Sequence, residues 1–275
     1  MNVKLRLWRL LPLSLHVLLG LAICALRFPF IDSVRRGRHV RWWSRRLLRL
    51  CSVHLHLPPH AVYEPPALIV ANHISWLDIL VLNAQHPCQF VAKLEIRGWP
   101  FLGWLSHKAG TVFIARGKRS DVRRVFEGLV STLQGGERVA FFPEGKIGSQ
   151  GGILPFHANL FEAAIDAKVP VQAYGLRYRT ADGHLHTATE FAGDISFITS
   201  LLSILRAEPI HAELIAAPLI DSNDLLRRDL ARMAQCAVEQ ALGFGTRDGG
   251  GLDAVGPDQH ADAGEHHRQG KHLPG

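Results

Sequence analysis

Ala67-Leu68-Ile69-Val70-Ala71 runs directly into Asn72-His73-Ile74-Ser75-Trp76-Leu77-Asp78, and the reading of this stretch decides the fold. An apolar run without polar alternation predicts a strand buried on both faces, as in parallel sheets flanked by helices. The histidine falls at the carboxyl end of that strand, and a carboxylate follows five positions later. On a continuous helix a spacing of five turns two side chains about 140° apart. A turn removes that obstacle. Ser75-x-x-Asp78 ahead of Ile79-Leu80-Val81-Leu82 has the pattern of a capping box, with Ser75 as the cap and Asp78 in the first helical turn. From there the carboxylate can reach back to the imidazole, fix its tautomer and leave the second ring nitrogen to take a proton. The same residues also fit a purely local reading, in which Asp78 only caps a helix and His73 only ends a strand.

Beyond this stretch, strands are expected at Gln89–Ala92, Thr111–Ile114, Arg138–Phe142, Val169–Leu176 and His211–Ala216. Helical patterns lie between them, near Ser75–Asn83, Phe101–His107, Ser120–Leu133, Phe156–Ala167, Ile195–Leu205 and Ser222–Leu242. The alternation predicts an α/β fold, a mostly parallel twisted sheet with helices on both faces. Ligands of such sheets bind beyond the carboxyl ends of the strands, where His73 falls. Past Leu242 the composition shifts to glycine, scattered acids and histidines, so residues 244–275 are expected to form a disordered tail.

The chain has 275 residues and a formal net charge of +7, but that charge is local. Residues 1–60 hold eleven of the 31 Lys/Arg and one of the 24 Asp/Glu, which leaves the remainder slightly acidic. Nucleic acid and anionic lipid are the two partners such a basic segment suits, and its apolar neighbours favour lipid. Leu10–Leu26 is uncharged between Arg9 and Arg27, at the short limit for a bilayer span. No Ala-x-Ala site follows it to support a cleaved leader. From residue 38 to 57, Arg38, Arg41, Arg45 and Arg49 form one helical stripe, with Val40, Trp43, Leu47 and Leu50 on the other. Residues 1–57 are therefore expected to be a membrane-attaching helical hairpin, with a helix packed on the domain as the competing reading. Four dispersed cysteines (Cys24, Cys51, Cys88, Cys236) fit a reducing compartment and no zinc ribbon. His54, His56 and His60 lie in the amphipathic segment and are read as interfacial, so no metal is expected.

Two more strand ends carry chemistry: Gly110-Thr111-Val112-Phe113-Ile114-Ala115-Arg116, and Phe142-Pro143-Glu144-Gly145-Lys146 after Arg138–Phe142. Singly, these are a surface arginine and an ordinary turn. With His73 and Asp78 they converge on one edge of one sheet. In this order the residues resemble the glycerolipid acyltransferase family of the lysophosphatidate acyltransferase type. Asn72-His73-x-Ser75-x-x-Asp78, Gly110-x-x-Phe113-Ile114-x-Arg116, Phe142-Pro143-Glu144-Gly145 and Val169-Pro170-Val171-Gln172-Ala173 match its four blocks, and the resemblance spans about residues 60–220. The third block departs from the family's usual ending, reading Gly145-Lys146-Ile147-Gly148-Ser149.

The resemblance implies an acyltransferase domain over 58–243 that moves a fatty acyl group to the free hydroxyl of a lysolipid. The acceptor it implies first is 1-acylglycerol 3-phosphate, giving phosphatidate in phospholipid biosynthesis; the third-block departure keeps lyso-ornithine lipid as an alternative. The donor would be acyl-CoA or an acyl-carrier protein, with no cofactor. His73 would be the general base and Asp78 its orienting carboxylate. Arg116 would bind the acceptor's phosphate, with Glu144, Gly145 and Lys146 shaping that pocket. No serine or cysteine nucleophile is required, because the acceptor hydroxyl itself attacks. The implied location is the cytoplasmic face of the inner membrane. A non-catalytic lipid-binding protein on this fold is the reading of another class.

Overall fold

The computed structural model describes residues 9–57, 66–94, 103–104, 108, 110–114, 119–191, 193 and 195–244. Arg116, the tail beyond residue 244 and most of the helix expected over 101–107 lie outside the described residues. The described residues form a seven-stranded sheet built from β1 (Val53–His56), β2 (Leu68–Ala71), β3 (Gln89–Lys93), β4 (Val112–Ile114), β5 (Val139–Phe141), β6 (Val171–Arg179) and β7 (Ile210–Ala216). The order across the sheet is β1-β7-β6-β2-β5-β3-β4. All pairings are parallel except β6 with β7.

Helices cover both faces. α3 (Leu77–Gln85), α2 (Ser33–Leu50) and α6 (Phe197–Arg206) share one core with Ile69, Ala71, Ala140, Tyr174 and Leu176. α4 (Arg119–Gln134), α5 (Glu162–Ala167) and α7 (Arg227–Leu242) share the other with Leu68, Val70, Val139, Phe141 and Ala173. Every residue of β2 is therefore buried, alternate side chains serving opposite cores, which is why the strand reads as an unbroken apolar run. α3 carries the chain from β2 past β5 to β3, whereas the connection after β5 returns across β2 to β6. The two depart in opposite directions at the carboxyl ends of β2 and β5, and such divergence opens a crevice. Asn72 locks its β6 side, donating from Nδ2 to Leu176 O at 2.9 Å and accepting from Leu176 N at 2.7 Å.

The N-terminal segment is a helical hairpin. α1 (Leu10–Leu26) runs antiparallel to α2: Arg9 donates to Ser52 Oγ, and Trp43 Nε1 donates to His16 O at 3.0 Å, the His16 ring stacking on Trp43. Gly20 permits this approach, because a Cβ there would lie 2.4 Å from Trp43 Nε1. The stripe Leu13, His16, Gly20 and Cys24 is buried, whereas Leu11, Leu15, Leu18, Leu26 and Phe30 are exposed. The stretch Leu10–Phe30 is long and apolar enough to cross a membrane.

The amphipathic helix expected over 38–57 is corrected in two respects. It ends at Leu50, where Cys51 and a left-handed Ser52 (φ 60°) turn the chain into strand β1, paired with β7. It also packs on the sheet through Leu47 and Leu48, and half of its arginine stripe is used internally: Arg41 and Arg45 donate to the carbonyls of Gln85 and Ala84 at 2.9 and 2.8 Å. Those carbonyls end α3, where a helix lacks its own donors and favours positive charge.

Replacing Asn72 by Ala strands the amide and carbonyl of Leu176 inside the protein. The expected loss is about 2–4 kcal/mol of stability, read as a lower denaturant midpoint at unchanged slope.

Candidate active site

The end of β2 delivers His73 to the crevice, and the turn at Ser75 returns the chain so that α3 starts at Leu77. His73 Nδ1 lies 2.8 Å from Asp78 Oδ2. The same oxygen accepts the amides of Ile74 and Ser75, at 2.7 and 2.9 Å. The carboxylate half of the expected capping box is thus present. The serine half is not: Trp76 occupies the cap position without a side-chain bond, and Ser75 Oγ accepts only a long bond from Leu77 N at 3.4 Å. The amide of Asp78 instead bonds to the Ser75 carbonyl. Helix entry and the histidine–carboxylate pair use one oxygen for both purposes.

Asp78 has no exposed side-chain surface, and His73 keeps 15% of its own. A carboxylate on Nδ1 selects the tautomer with its proton there and leaves Nε2 as the basic nitrogen. The imidazole lies flat on Phe142, centroids 3.9 Å apart and planes 6° apart, and Phe142 is backed by Phe90 at 6.0 Å. The ring is therefore held from its edge and from its face.

The loop after β5 holds the main chain of the same histidine. Glu144 Oε1 accepts from His73 N at 2.7 Å, Glu144 Oε2 accepts from Leu154 N at 2.9 Å, and Gly148 N donates to His73 O at 2.7 Å. Glu144 is buried, and burial pushes its carboxyl above the ordinary range while the amides of Leu154 and His73 pull it back down. Gly145 makes the turn at φ 67°, where a side chain would be strained and its Cβ would meet the His157 ring at 3.3 Å. Lys146 follows on the exposed side of the loop.

The structure brings His73, Asp78 and Glu144 together, with Gly145 and Lys146 in the same loop; Arg116 is outside the described residues. A residue that sequence reading passed over completes the group. Tyr178, fully buried in β6, donates its hydroxyl to Asp78 Oδ1 at 2.5 Å. Its main-chain amide is held by Gln150 Oε1 at 2.7 Å, in the loop that continues from Lys146. The available signal was the alternation Tyr174, Leu176, Tyr178 on one face of a strand expected to end at Leu176.

A strand-end imidazole held at Nδ1 by a buried carboxylate, with Nε2 left free of that pairing, is suited to taking a proton from a hydroxyl that attacks an acyl carbon. The chain belongs to the acyltransferase family, whose model, described as Acyltransferase, matches residues 52–177. It is 39% identical over 254 residues to a lyso-ornithine lipid O-acyltransferase of Pseudomonas aeruginosa, covering 90% of this chain and 95% of that one. It is 41% identical over 176 residues to a 1-acyl-sn-glycerol-3-phosphate acyltransferase of Neisseria meningitidis, covering 64% and 69% of the two chains. The solved 1-acyl-sn-glycerophosphate acyltransferase of Thermotoga maritima has the same fold, with a TM-score of 0.57 at 18% identity over 84% of this chain and 95% of that one. The protein is accordingly a transferase, and the reading as a non-catalytic lipid-binding protein is set aside.

Because both oxygens of Glu144 are occupied by main-chain amides, its replacement by Gln puts an NH₂ group against one of them. Glu144→Gln is expected to lower kcat by about 10–100-fold through displacement of His73, with the acceptor KM little changed. Steady-state kinetics at varied acceptor concentration check this split, and a rise confined to KM would place Glu144 against the acceptor instead.

Proposed function

We propose that this protein is a membrane-attached O-acyltransferase that moves a fatty acyl group from a thioester donor to the free hydroxyl of a lysolipid. The single observation that carries the mechanism is the His73–Asp78 pair at 2.8 Å, its carboxylate sealed from solvent. His73 Nε2 removes the acceptor hydroxyl's proton as the oxygen attacks the thioester carbonyl, and Asp78 stabilises the imidazolium that forms. Collapse of the tetrahedral intermediate expels the thiolate, to which the imidazolium returns the proton. The products are the ester and the free thiol of coenzyme A or of a carrier protein. His73→Ala is expected to reduce turnover by about 10²–10⁴-fold or more while leaving the fold intact, as checked by thioester consumption and circular dichroism.

For the acceptor, whole-chain similarity to a lyso-ornithine lipid O-acyltransferase, together with Lys146-Ile147 in the third block, favours lyso-ornithine lipid. The second reading is 1-acylglycerol 3-phosphate, supported by the Neisseria relative and by the resemblance of the second block, with Arg116 on the phosphate and Gly145 and Lys146 beside it. Products formed from a mixture of lysolipids, with acyl-CoA and with acyl-carrier protein in turn, are to be identified by mass spectrometry. Acylation of lyso-ornithine lipid alone supports the first reading, and phosphatidate the second. Under the second, Arg116→Ala raises KM for phosphate-bearing acceptors by about 10-fold or more and for no others.

We also infer that the α1–α2 hairpin attaches the enzyme to the cytoplasmic face of the inner membrane, with the sheet from β1 onward as the catalytic domain and the tail after residue 244 outside it. The exposed leucines of α1 and the exposed Arg35, Arg36, Arg38, Arg46 and Arg49 of α2 support this, since apolar side chains enter the acyl region and arginines meet anionic headgroups.

A further inference from the structure

We propose that Tyr178 is a positioning residue of this acyl transfer, holding the Asp78 carboxylate turned so that it fixes His73 in its reactive tautomer. The inference rests on the histidine-base reading above and adds a residue five places beyond the fourth sequence block, on the same strand.

Asp78 has two oxygens and four donors. His73 Nδ1 and the amides of Ile74 and Ser75 all converge on Oδ2, and all come from the same turn. Oδ1 faces the sheet, where Tyr178 supplies its hydroxyl at 2.5 Å from a residue 100 positions away in sequence. The three local bonds alone would leave Oδ1 bare in a fully buried site, and a bare carboxylate oxygen there favours protonation. A protonated Asp78 neither accepts the His73 Nδ1 proton nor stabilises an imidazolium. Tyr178 also sets the rotation of the carboxylate about its own axis, because the phenol cannot move: its amide is held by Gln150, its carbonyl accepts from His186 N at 2.9 Å, and its ring is part of the core. Among the described residues, two other titratable groups interact with the pair: Tyr178 from β6 with Asp78, and Glu144 from the loop after β5 with both His73 and Asp78. Burial first, and then the charge of Asp78 and the bond to it, push the Tyr178 phenol well above its ordinary value, so it remains a donor throughout the working range.

The effect on pH follows in sign. Loss of the phenol's bond costs the carboxylate more beside a neutral imidazole than beside an imidazolium, which already compensates its charge. The pair therefore binds its proton more tightly, and activity is lost at higher pH on the acid side.

The test is Tyr178→Phe, which keeps the ring in the core and removes only the hydroxyl. In the full-length enzyme the expected results are a 10–100-fold lower kcat, in line with the loss of a hydrogen bond to a charged group, and KM values for donor and acceptor within about twofold. The acid limb of the kcat profile moves up by about one unit, and so does the His73 titration followed by NMR without substrate. In an Asp78→Asn background the same substitution adds less than about a twofold loss, since its action passes through Asp78. An unchanged acid limb and His73 titration, or a full additional loss in the Asp78→Asn background, overturns the proposal. If Tyr178→Phe does not fold, 3-fluorotyrosine placed at position 178 is the second variant. As a stronger donor it shifts the His73 titration down, and no shift overturns the proposal. Because that titration needs no substrate, failure of the enzyme to acylate any lysolipid would overturn the acyl-transfer reading and leave this measurement standing.

Discussion

The buried carboxylate of Asp78 is the constraint on which the rest of the site depends. An ionised group with no exposed surface is tolerated only when its lone pairs are taken up, and this one receives four donors from three sources: the imidazole, two amides of its own turn, and a tyrosine on another strand. Each source requires a separate part of the fold. The amides require β2 to stop at Ala71, the imidazole requires the turn before α3, and the tyrosine requires β6 to extend past the end of β2. A carboxylate that would be costly to bury alone thereby fixes the relation of a strand, a helix and a neighbouring strand.

A second problem arises one residue earlier. Where β2 ends, the ladder to β6 stops at Ala71, so the main-chain groups of Leu176 and His73 have to be met in another way. Asn72 extends the ladder with its side-chain amide, and the loop after β5 meets His73 on both its N–H and its C=O. Glu144 does this from a buried position that raises its own carboxyl, so desolvation there is offset by amide bonds that also hold the histidine. The first and third sequence blocks are thus one hydrogen-bonded unit. A rigid base is the consequence, and an imidazole sandwiched by Phe142 and tethered at Nδ1 has little rotation left to lose when substrate binds.

Much of this was legible in the sequence because it is local. The apolar run of β2, the spacing of His73 and Asp78, and the Pro-Glu-Gly turn are each a short local pattern, and six of the seven strands follow from apolar runs between turn residues. What was not legible depends on contacts across the sheet. The hydroxyl of Tyr178 and the carboxylate of Asp78 meet only because β6 lies beside β2, and no periodicity in either segment encodes that pairing. β1 was hidden for another reason. Val53-His54-Leu55-His56 alternates as a strand should, but four residues fall in the shadow of the long helical stripe that precedes them, and only Cys51 and the left-handed Ser52 separate the two. Ser75 shows the opposite failing: a motif whose residues were right and whose division of labour was not, since the acid alone makes the box.

The arginines of α2 connect this chemistry to the hairpin. In the sequence they form a stripe whose simplest meaning is contact with headgroups, and five of the residues near it are exposed as that meaning requires. Arg41 and Arg45 instead complete the carbonyl end of α3, the same helix whose amino end carries Asp78. A guanidinium at a helix carboxyl terminus satisfies orphan acceptors and complements the helix dipole. α3 is therefore clamped at one end by the hairpin and at the other by the His73 turn. With Leu47 and Leu48 in the core beneath it, the hairpin cannot change its angle without moving the helix that carries Asp78 to His73. Under the proposed membrane attachment, the orientation of the hairpin at the lipid surface also sets the orientation of the crevice. A single-ended anchor would leave His73 free to face away from the lipid surface, whereas under that attachment the clamped α3 would hold it in a fixed direction.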